Sequence, residues 1–385
     1  MLATLGDPER GGRAPESAGH DDGLSGDPKE RLVRSDRRGV RTPSLEAGSA
    51  PGDGGSSSLL VIQERDVGLF SMVWQVLNTL YLLEDQKIDR VPIAAWGQGL
   101  AYFHPDGHEG RRTVWEYYFE PLVAGFSEDR VLSVLGARAF ELLESKRKQL
   151  EHERGAVEFP DDLHWLRPLT DEDRSNIAEI DELVSAVDWT WTESFYPTVG
   201  GGQPAPFAIP SDRAADLIRR YVRPREHIRR KASELFEARL RGHYVIGVHV
   251  RGTDGLSDPG RPGTIPFGRC FQEIGRRLTA VGASRCRVFL ATDEQYVVDL
   301  FQRRFGDELV LYDAVRSAKG AAPLGTGPTG QRIPGYIATD RDTARRNGDD
   351  AVVEFTLLTQ SDFLVHNPSS LSAAARLYVP EGVLL

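Results

Sequence analysis

Residues Tyr244–Asp254 read Y-V-I-G-V-H-V-R-G-T-D, an apolar, β-branched run that ends in polar side chains. A continuous Val/Ile run of this kind predicts a strand buried on both faces, as in a parallel sheet covered by helices. In open α/β sheets, ligands bind beyond the carboxyl ends of the strands. We therefore expect His249, Arg251 and Asp254 at a binding edge. The permanent charge and planar fork of Arg251 favour an anionic ligand.

The sequence around this run alternates between predicted strands and helices. A strand over Leu59–Ile62 leads through a loop to an amphipathic helix over about Leu69–Leu83, and the next hundred residues are less regular and rich in aromatics. This alternation predicts an α/β fold with parallel, doubly wound sheets. Downstream of the run we predict a helix near 267–280, a strand over Arg287–Ala291, a helix over 294–305, a strand over Glu308–Tyr312, a helix near 350–360, a strand over Phe363–His366 and a last helix from about Ser369.

Composition divides the chain into three segments. Residues 1–58 contain no Phe, Trp, Tyr, Ile or Cys and are dense in Gly, Pro, Ser, Asp and Arg. Such a segment cannot bury enough apolar surface to offset its ordering entropy, so we expect a disordered tail. Residues 59–227 are predicted to form an N-terminal α/β domain, and residues 228–385 a C-terminal Rossmann-like domain.

Bulk properties exclude several classes of protein. The formal net charge of −10 over 385 residues argues against a general nucleic-acid binder, because phosphate-backbone affinity needs a basic face. Two cysteines, Cys270 and Cys286, provide neither a disulfide framework nor a metal-ligand set, which favours a reducing compartment. No run approaches the roughly 20 apolar residues of a membrane span, and the N-terminus lacks an apolar signal core. We therefore expect a soluble, cytoplasmic protein.

Two later predicted strands also end in polar residues. Thr292 and Asp293 close the run V-F-L-A-T-D-E, and Ser369 and Ser370 follow D-F-L-V-H-N-P. Serine hydroxyls and unpaired amides at a helix start can bind an anion, although each pattern is also that of ordinary helix capping. Because the carboxyl ends of parallel strands meet at one edge, we expect these side chains to lie near Arg251.

Three other motifs do not fit their usual chemistry. Gly325–Gly330 spells G-x-G-x-x-G, but no apolar strand precedes it and Pro328 opposes the helix that a dinucleotide site needs. Asp340–Asp342 and Asp171–Asp173 spell the D-x-D of manganese-dependent sugar transferases, but neither follows a strand, so we interpret them as solvated loops or helix starts. The nine histidines show no metal-ligand spacing, and we expect no bound metal.

Three stretches together resemble the donor-site motifs of the α1,6-fucosyltransferases. These motifs are V-I-G-V-H-V-R-G-T-D, V-F-L-A-T-D-E and V-V-E-F-T-L-L-T-Q-S-D-F-L-V-H-N-P-S-S, in the order and spacing of that family. The family includes bacterial nodulation fucosyltransferases, with protein O-fucosyltransferases as more distant relatives. The resemblance is specific across about Ile228–Tyr378, weaker across 59–227 and absent from 1–58.

This resemblance implies a GT-B fold, in which two Rossmann-like halves face a cleft. The acceptor would bind mainly in the N-terminal half and the donor in the C-terminal half. It also implies an inverting, metal-independent transfer of fucose from GDP-fucose to a glycan or other hydroxyl acceptor, with no cofactor. Without a metal, an arginine must neutralise the departing diphosphate. The residues implied are His249 and Arg251 at the diphosphate, Thr292 and Asp293 near the nucleotide, Glu354 where the family has an aspartate that contacts the guanosine, and Ser369 and Ser370 at phosphate.

The chain departs from the family at positions that matter for catalysis. Gly252 and Gly255 stand where the α1,6-fucosyltransferases have a second arginine and a lysine, and their proposed catalytic glutamate falls at about Pro259. An inverting transfer needs a base for the acceptor hydroxyl. Asp258, beside Pro259, is the nearest carboxylate and the candidate base. Asp254 is closer to the phosphates and is assigned to orienting the loop or Arg251.

Two alternatives follow from these departures. One is a transferase that uses another GDP-sugar. The other is a non-catalytic protein that kept the nucleotide pocket and lost turnover, which the missing lysine and glutamate suggest. Turnover of a GDP-sugar distinguishes an enzyme from such a binding protein, whereas nucleotide binding alone does not.

Overall fold

Two mostly parallel β-sheets organise the residues that the computed structural model describes. The predicted tail lies outside these residues, except for Ser58. Contacts group residues 51–385 into one unit, and the division at 227/228 stays a prediction. The described residues are 58–62, 68–85, 87, 91–94, 96–97, 100–123, 166–168, 188–192, 209–251, 266–317, 325–326, 332–333, 340–379 and 381–385.

The N-terminal sheet has the strand order β2-β1-β4-β3, in which β3 is antiparallel to β4. The predicted opening strand and helix are confirmed, while the loop between them lies outside the described residues; the middle region described as irregular contributes three strands. Two of these have only three residues, too few to show a periodicity, whereas the alternation Trp189-Thr190-Trp191 could have revealed β4. The elements are β1 (Ser58–Ile62), α1 (Leu69–Asp85), β2 (Val91–Ile93), α2 (Val114–Tyr118), β3 (Leu166–Pro168) and β4 (Asp188–Thr192).

The C-terminal sheet follows two helices. The second of these ends in a π-helical turn, Phe236–Leu240, before Gly242, whose φ of 79° is a backbone conformation that favours glycine. Within the described part of the chain, no helix is both long and apolar enough to cross a membrane. The elements are α3 (Ser211–Tyr221), α4 (Glu226–Leu235), β5 (Tyr244–Val250), α5 (Phe267–Val281), β6 (Cys286–Thr292), α6 (Gln295–Phe305), β7 (Leu309–Leu311), β8 (Gly325–Thr326), β9 (Arg332–Ile333), α7 (Arg341–Leu358), β10 (Phe363–His366), α8 (Ser370–Arg376) and β11 (Gly382–Leu384).

The winding of this sheet determines where a ligand can bind. Its five strands are parallel and run in the order β11-β10-β5-β6-β7. The chain therefore proceeds from β5 towards β7 and then returns to the other side of β5. The order reverses between β5 and β10, and in open α/β sheets ligands bind at this point, beyond the carboxyl ends of the strands. The predicted α/β class and double winding are confirmed.

Two predicted features change in the structure. Helix α7 begins at Arg341 rather than near 350, because Asp340 caps it by accepting a hydrogen bond from the Asp342 amide. The D-x-D of 340–342 is thus a helix start, as interpreted, while that of 171–173 lies outside the described residues. The first two residues of the G-x-G-x-x-G spelling form β8, which pairs with β9.

Side chains of β5 alternate between two apolar clusters. Ile246, Val248 and Val250 pack in a cluster with residues of α5 and α6. Val245 belongs to a second cluster, which contains residues of α1, α2 and α7. His249 shares the parity of Val245 and so projects towards the α7 side of the sheet. This second cluster therefore extends from α1 to the C-terminal sheet.

Candidate functional site

Arg251 is held at the end of β5 by a side chain that follows β10. The Arg251 amide donates to Asn367 Oδ1 at 2.9 Å, and Asn367 Nδ2 donates to the Arg251 carbonyl at 2.9 Å. The Asn367 amide also donates to the His249 carbonyl at 3.3 Å. The Asn367 side chain thus continues the β5–β10 ladder by one position, at the point where the strand order reverses. The backbone of Arg251 is thereby fixed between the ends of β5 and β10.

The Arg251 guanidinium lies beside the start of α1. A Cβ placed on Gly68, the residue before this helix, would be 3.9 Å from Arg251 Nη1. The starts of α1 and α8 are joined at the same place, since Ser71 Oγ and Ser370 Oγ are 3.0 Å apart and Trp74 Nε1 donates to the Ser370 carbonyl at 2.9 Å. The positive end of a 17-residue helix and a guanidinium therefore adjoin each other, an arrangement that favours an anion.

Two buried histidines line the same edge. His249 and His366 are paired in register on neighbouring strands. Burial, with smaller contributions from His366 and Arg251, lowers the pKa of His249 to about 3. Burial also lowers the pKa of His366. Both rings are thus neutral near pH 7, and Nδ1 of each has no hydrogen-bond partner among the described residues. Contact of His249 with a diphosphate stays a prediction, and it would be made by a neutral imidazole.

The polar groups at the end of β6 form hydrogen bonds within the protein. The Thr292 hydroxyl accepts from the Glu294 amide at 3.4 Å. The Asp293 carbonyl accepts from the Ser317 amide at 2.8 Å and from the Ser317 hydroxyl at 3.1 Å. Thr292 and Asp293 therefore lie at the sheet edge, as predicted, and they shape the turn into α6. Their contact with a nucleotide stays a prediction.

Glu354 is a buried carboxyl on α7 with one incompletely paired oxygen. Burial raises its pKa well above the usual range, and the nearby charge of Arg316 only partly opposes this. The closest approach between these two side chains is 3.7 Å, from Arg316 Nη2 to Glu354 Oε1. Glu354 Oε1 has no hydrogen-bond partner within the described residues. Since an unsatisfied buried polar atom is costly, this oxygen is suited to a ligand that brings donors.

The two predicted phosphate-binding serines have partners inside the protein. Ser369 is the N-cap of α8, and its hydroxyl accepts from the Ser372 amide at 3.2 Å. The Ser370 hydroxyl is paired with Ser71, and both Ser369 and Ser370 are buried. The capping alternative therefore describes Ser369, and a phosphate contact for either serine stays a prediction.

The structure brings most of the predicted residues to one edge and adds others. Asp254 and Asp258 lie outside the described residues, so their roles stay predictions. Asn367 and His366 were missed, although the polar residues directly after the apolar run of β10 could have indicated both. No local signal indicates the contact of Ser71 with Ser370, because 299 residues separate them.

Comparisons with known proteins find similarity in structure alone. No family model matches the chain, and no curated protein matches it. The fucosyltransferase NodZ from Bradyrhizobium is 19% identical, with 86% of this chain and 96% of that chain covered and a TM-score of 0.48. A mutant of Arabidopsis thaliana FUT1 in complex with GDP is 15% identical, with 87% and 71% covered and a TM-score of 0.42. POFUT1 in its apo form is 13% identical, with 87% and 99% covered and a TM-score of 0.41. The chain is thus similar in structure to solved fucosyltransferases.

Proposed function

We propose that the protein is an inverting, metal-independent glycosyltransferase of GT-B type that uses GDP-fucose. The observation that carries this proposal is the position of Arg251. It lies at the reversal point of the C-terminal sheet, is fastened there by Asn367, and directs its guanidinium to the start of α1. The donor-motif resemblance of the surrounding strand ends supports the choice of sugar nucleotide.

Arg251 would act on the leaving group. As the glycosidic bond to fucose breaks, negative charge develops on the diphosphate. A guanidinium can bind two phosphate oxygens at once, and the amides at the start of a helix add partial positive charge. Donors that are already oriented when the charge develops stabilise the transition state without a metal. His249 would contribute a neutral hydrogen bond.

Glu354 would recognise the base. A carboxylate can accept both from N1–H and from the 2-amino group of guanine, and the incompletely paired Oε1 supports this use. Because burial raises the pKa of Glu354, the carboxyl must lose its proton when it binds guanine in this way. We therefore expect preference for GDP over UDP.

The acceptor would be a glycan or a small hydroxylated molecule bound mainly by residues 59–227, with the donor bound by residues 228–385. Asp258 is proposed as the base that takes the acceptor's proton, because a base must lie on the face opposite to the leaving diphosphate. Asp254 would orient the arginine. The two buried free cysteines, Cys270 and Cys286, support a cytoplasmic location.

A screen of ligands tests the donor. Thermal unfolding of the full chain should be delayed by GDP, GDP-fucose and GDP-mannose, but not by UDP or NAD. Release of GDP from GDP-fucose in the presence of acceptor glycans should then persist in excess EDTA. Equal stabilisation by UDP would contradict the guanine assignment, and activity lost on chelation and restored by manganese would contradict the metal-free mechanism. Binding without turnover of any GDP-sugar would favour the non-catalytic alternative, and turnover of GDP-mannose alone would identify another sugar.

A further inference from the structure

A second polar cluster lies on a different side of α7 from Glu354. His108 Nε2 and His227 Nε2 are 2.9 Å and 3.0 Å from the same oxygen, Asp349 Oδ1. The two imidazole rings are 5.6 Å apart and perpendicular. The three residues come from a turn, from α4 and from α7, with separations of 241 and 122 residues between each histidine and Asp349. Both histidines are therefore oriented by one carboxylate.

The turn at His108 adds a further carboxylate. The His108 amide donates to the Arg111 carbonyl at 2.9 Å, and the Arg111 amide donates back at 2.8 Å. Between them, Glu109 has a φ of 49° and Gly110 a φ of 73°, the pattern of a type I′ hairpin turn. Gly, Asn and Asp dominate such positions, so a glutamate is unusual there. Within the described residues, Glu109 has no ion pair or side-chain hydrogen bond, and one of its oxygens lies within 4.8 Å of a nitrogen of each histidine.

The two carboxylates of this cluster differ in their partners. Asp349 is buried, and Lys231 Nζ lies 2.8 Å from its second oxygen, Oδ2. Both oxygens of Asp349 are therefore occupied by the two histidines and Lys231. Glu109 is thus the carboxylate of the cluster that is left for a ligand.

We propose that His108, His227 and Glu109 form a binding site for a divalent transition-metal ion such as Zn²⁺. Imidazole nitrogen and carboxylate oxygen are ligands that Zn²⁺ accepts. Asp349 would serve as the carboxylate that orients ligating histidines through their other ring nitrogen. The ion would join the turn at 108–111 to α4 and α7, so its role is to stabilise the fold.

The site is separate from the donor chemistry. Asp349 and Glu354 are five positions apart on α7, which places them about 7.5 Å apart along the helix and about 140° apart around it. The metal-free transfer and this metal site are therefore compatible, and the test below does not depend on enzymatic activity.

Metal titration of the full chain tests the site. Protein stripped by chelator dialysis should bind Zn²⁺ at one equivalent in calorimetry, and Co²⁺ in its place should give a visible ligand-field spectrum. Zn²⁺ should also raise the midpoint of thermal unfolding, since it binds the folded state. His108→Ala and Glu109→Gln should each weaken Zn²⁺ binding at least tenfold. Loss of the orienting carboxylate in Asp349→Asn should cost about 10–100-fold.

Two controls keep the test decisive. Glu109 is exposed, so Glu109→Gln is expected to fold even if His108→Ala does not. His243→Ala removes a histidine whose Nδ1 is paired with the carbonyl of Arg241, outside the cluster, and should bind as the wild type does. Wild-type affinity in Glu109→Gln and His108→Ala would mean adventitious metal binding and would overturn the proposal. If the folded wild-type protein shows no saturable Zn²⁺ binding, the cluster is an ion-paired network without a metal, and the proposal is overturned.

Discussion

Asp349 and Glu354 lie on the same helix, are buried to a similar degree, and have opposite pKa shifts. Their exposed fractions are 4% and 7%. The pKa of Asp349 is held well below its usual range, whereas that of Glu354 is raised well above it. The difference comes from hydrogen-bond partners. Three side-chain donors reach Asp349, whereas Glu354 has one backbone hydrogen bond, from Thr292, and Arg316 approaches it no closer than 3.7 Å.

This contrast predicts different roles for the two carboxyls of α7. A buried carboxylate with good hydrogen-bond partners has a structural role, because removing a partner leaves a buried charge uncompensated. A buried carboxyl with an unpaired oxygen retains hydrogen-bonding capacity for a ligand. We therefore expect substitutions near Asp349 to change stability, and substitutions near Glu354 and Arg251 to change donor binding and turnover.

The largest effect is expected from Arg251→Ala, which removes the proposed contact with the diphosphate. It should abolish transfer and cost about 1.5–3 kcal/mol in GDP affinity, the range for a hydrogen bond to a charged group. Arg251→Lys should recover only part of the activity, because lysine lacks the planar fork. Calorimetry and GDP-release assays measure both effects. Arg269→Ala on the exposed side of α5 is the matched control, and wild-type affinity and turnover in a folded Arg251→Ala protein would refute the assignment.

Asp258→Asn should separate the chemical step from donor binding. Loss of the general base should lower turnover by about 100-fold or more, with GDP affinity nearly unchanged. Steady-state rates and calorimetry on one preparation measure the two quantities, with Asp299→Asn, an exposed aspartate of α6, as the control. A fully active Asp258→Asn enzyme would direct the search for the base to Glu64 and Asp66 in the N-terminal half.

Glu354→Gln should remove a pH dependence of donor binding. Because the pKa of Glu354 is raised in the free protein, the carboxyl is protonated below that pKa and must ionise on contact with guanine. Binding then releases one proton, so affinity for GDP-fucose should rise with pH by up to about tenfold per unit below the raised pKa. Calorimetry from pH 5.5 to 8.5 should show this slope in the wild type and a flatter profile in Glu354→Gln. Parallel profiles would exclude Glu354 from base recognition.

Gly348→Ala, next to Asp349, should change the free energy of unfolding and leave donor binding unchanged. An added Cβ would meet the Tyr118 ring, whose hydroxyl donates to the Arg345 carbonyl at 3.1 Å. Overpacking costs about 1–3 kcal/mol, offset by roughly 1 kcal/mol of better helix propensity. Urea unfolding should therefore show net destabilisation, with unchanged GDP affinity. Gly275→Ala on α5 has no atoms within 4 Å of the added Cβ and should be stabilising. Equal effects of the two substitutions would show that Tyr118 does not limit this packing.

The polar ends of β5, β6 and β10 could be predicted because their information is local. Strands β5, β6 and β10 are apolar runs that end in a polar residue or are followed directly by one, and parallel winding brings such ends to one edge. This reasoning places His249, Arg251, Thr292 and Asp293 at that edge from the sequence alone. It assigned Glu354 only through the family resemblance, since a glutamate in mid-helix has no local signature.

The hydrogen bonds around Asp349 and between the starts of α1 and α8 could not be predicted, because they join segments that are distant in the sequence. The pairing of Ser71 with Ser370 and the meeting of His108, His227 and Asp349 join segments more than 100 residues apart. No periodicity or spacing encodes such contacts. The start of α7 could not be predicted for a different reason, since its first ten residues, R-D-T-A-R-R-N-G-D-D, contain too few apolar side chains to show a helical period.

The double hydrogen bond between Asn367 and the Arg251 backbone has a consequence for how the protein could be re-engineered. Both hydrogen bonds are made by Asn367 and Arg251 alone, so substitutions in 252–265 that keep Asp254 and Asp258 leave them intact. Under the proposed function, libraries at the other positions of 252–265 are therefore a route to new acceptor preferences.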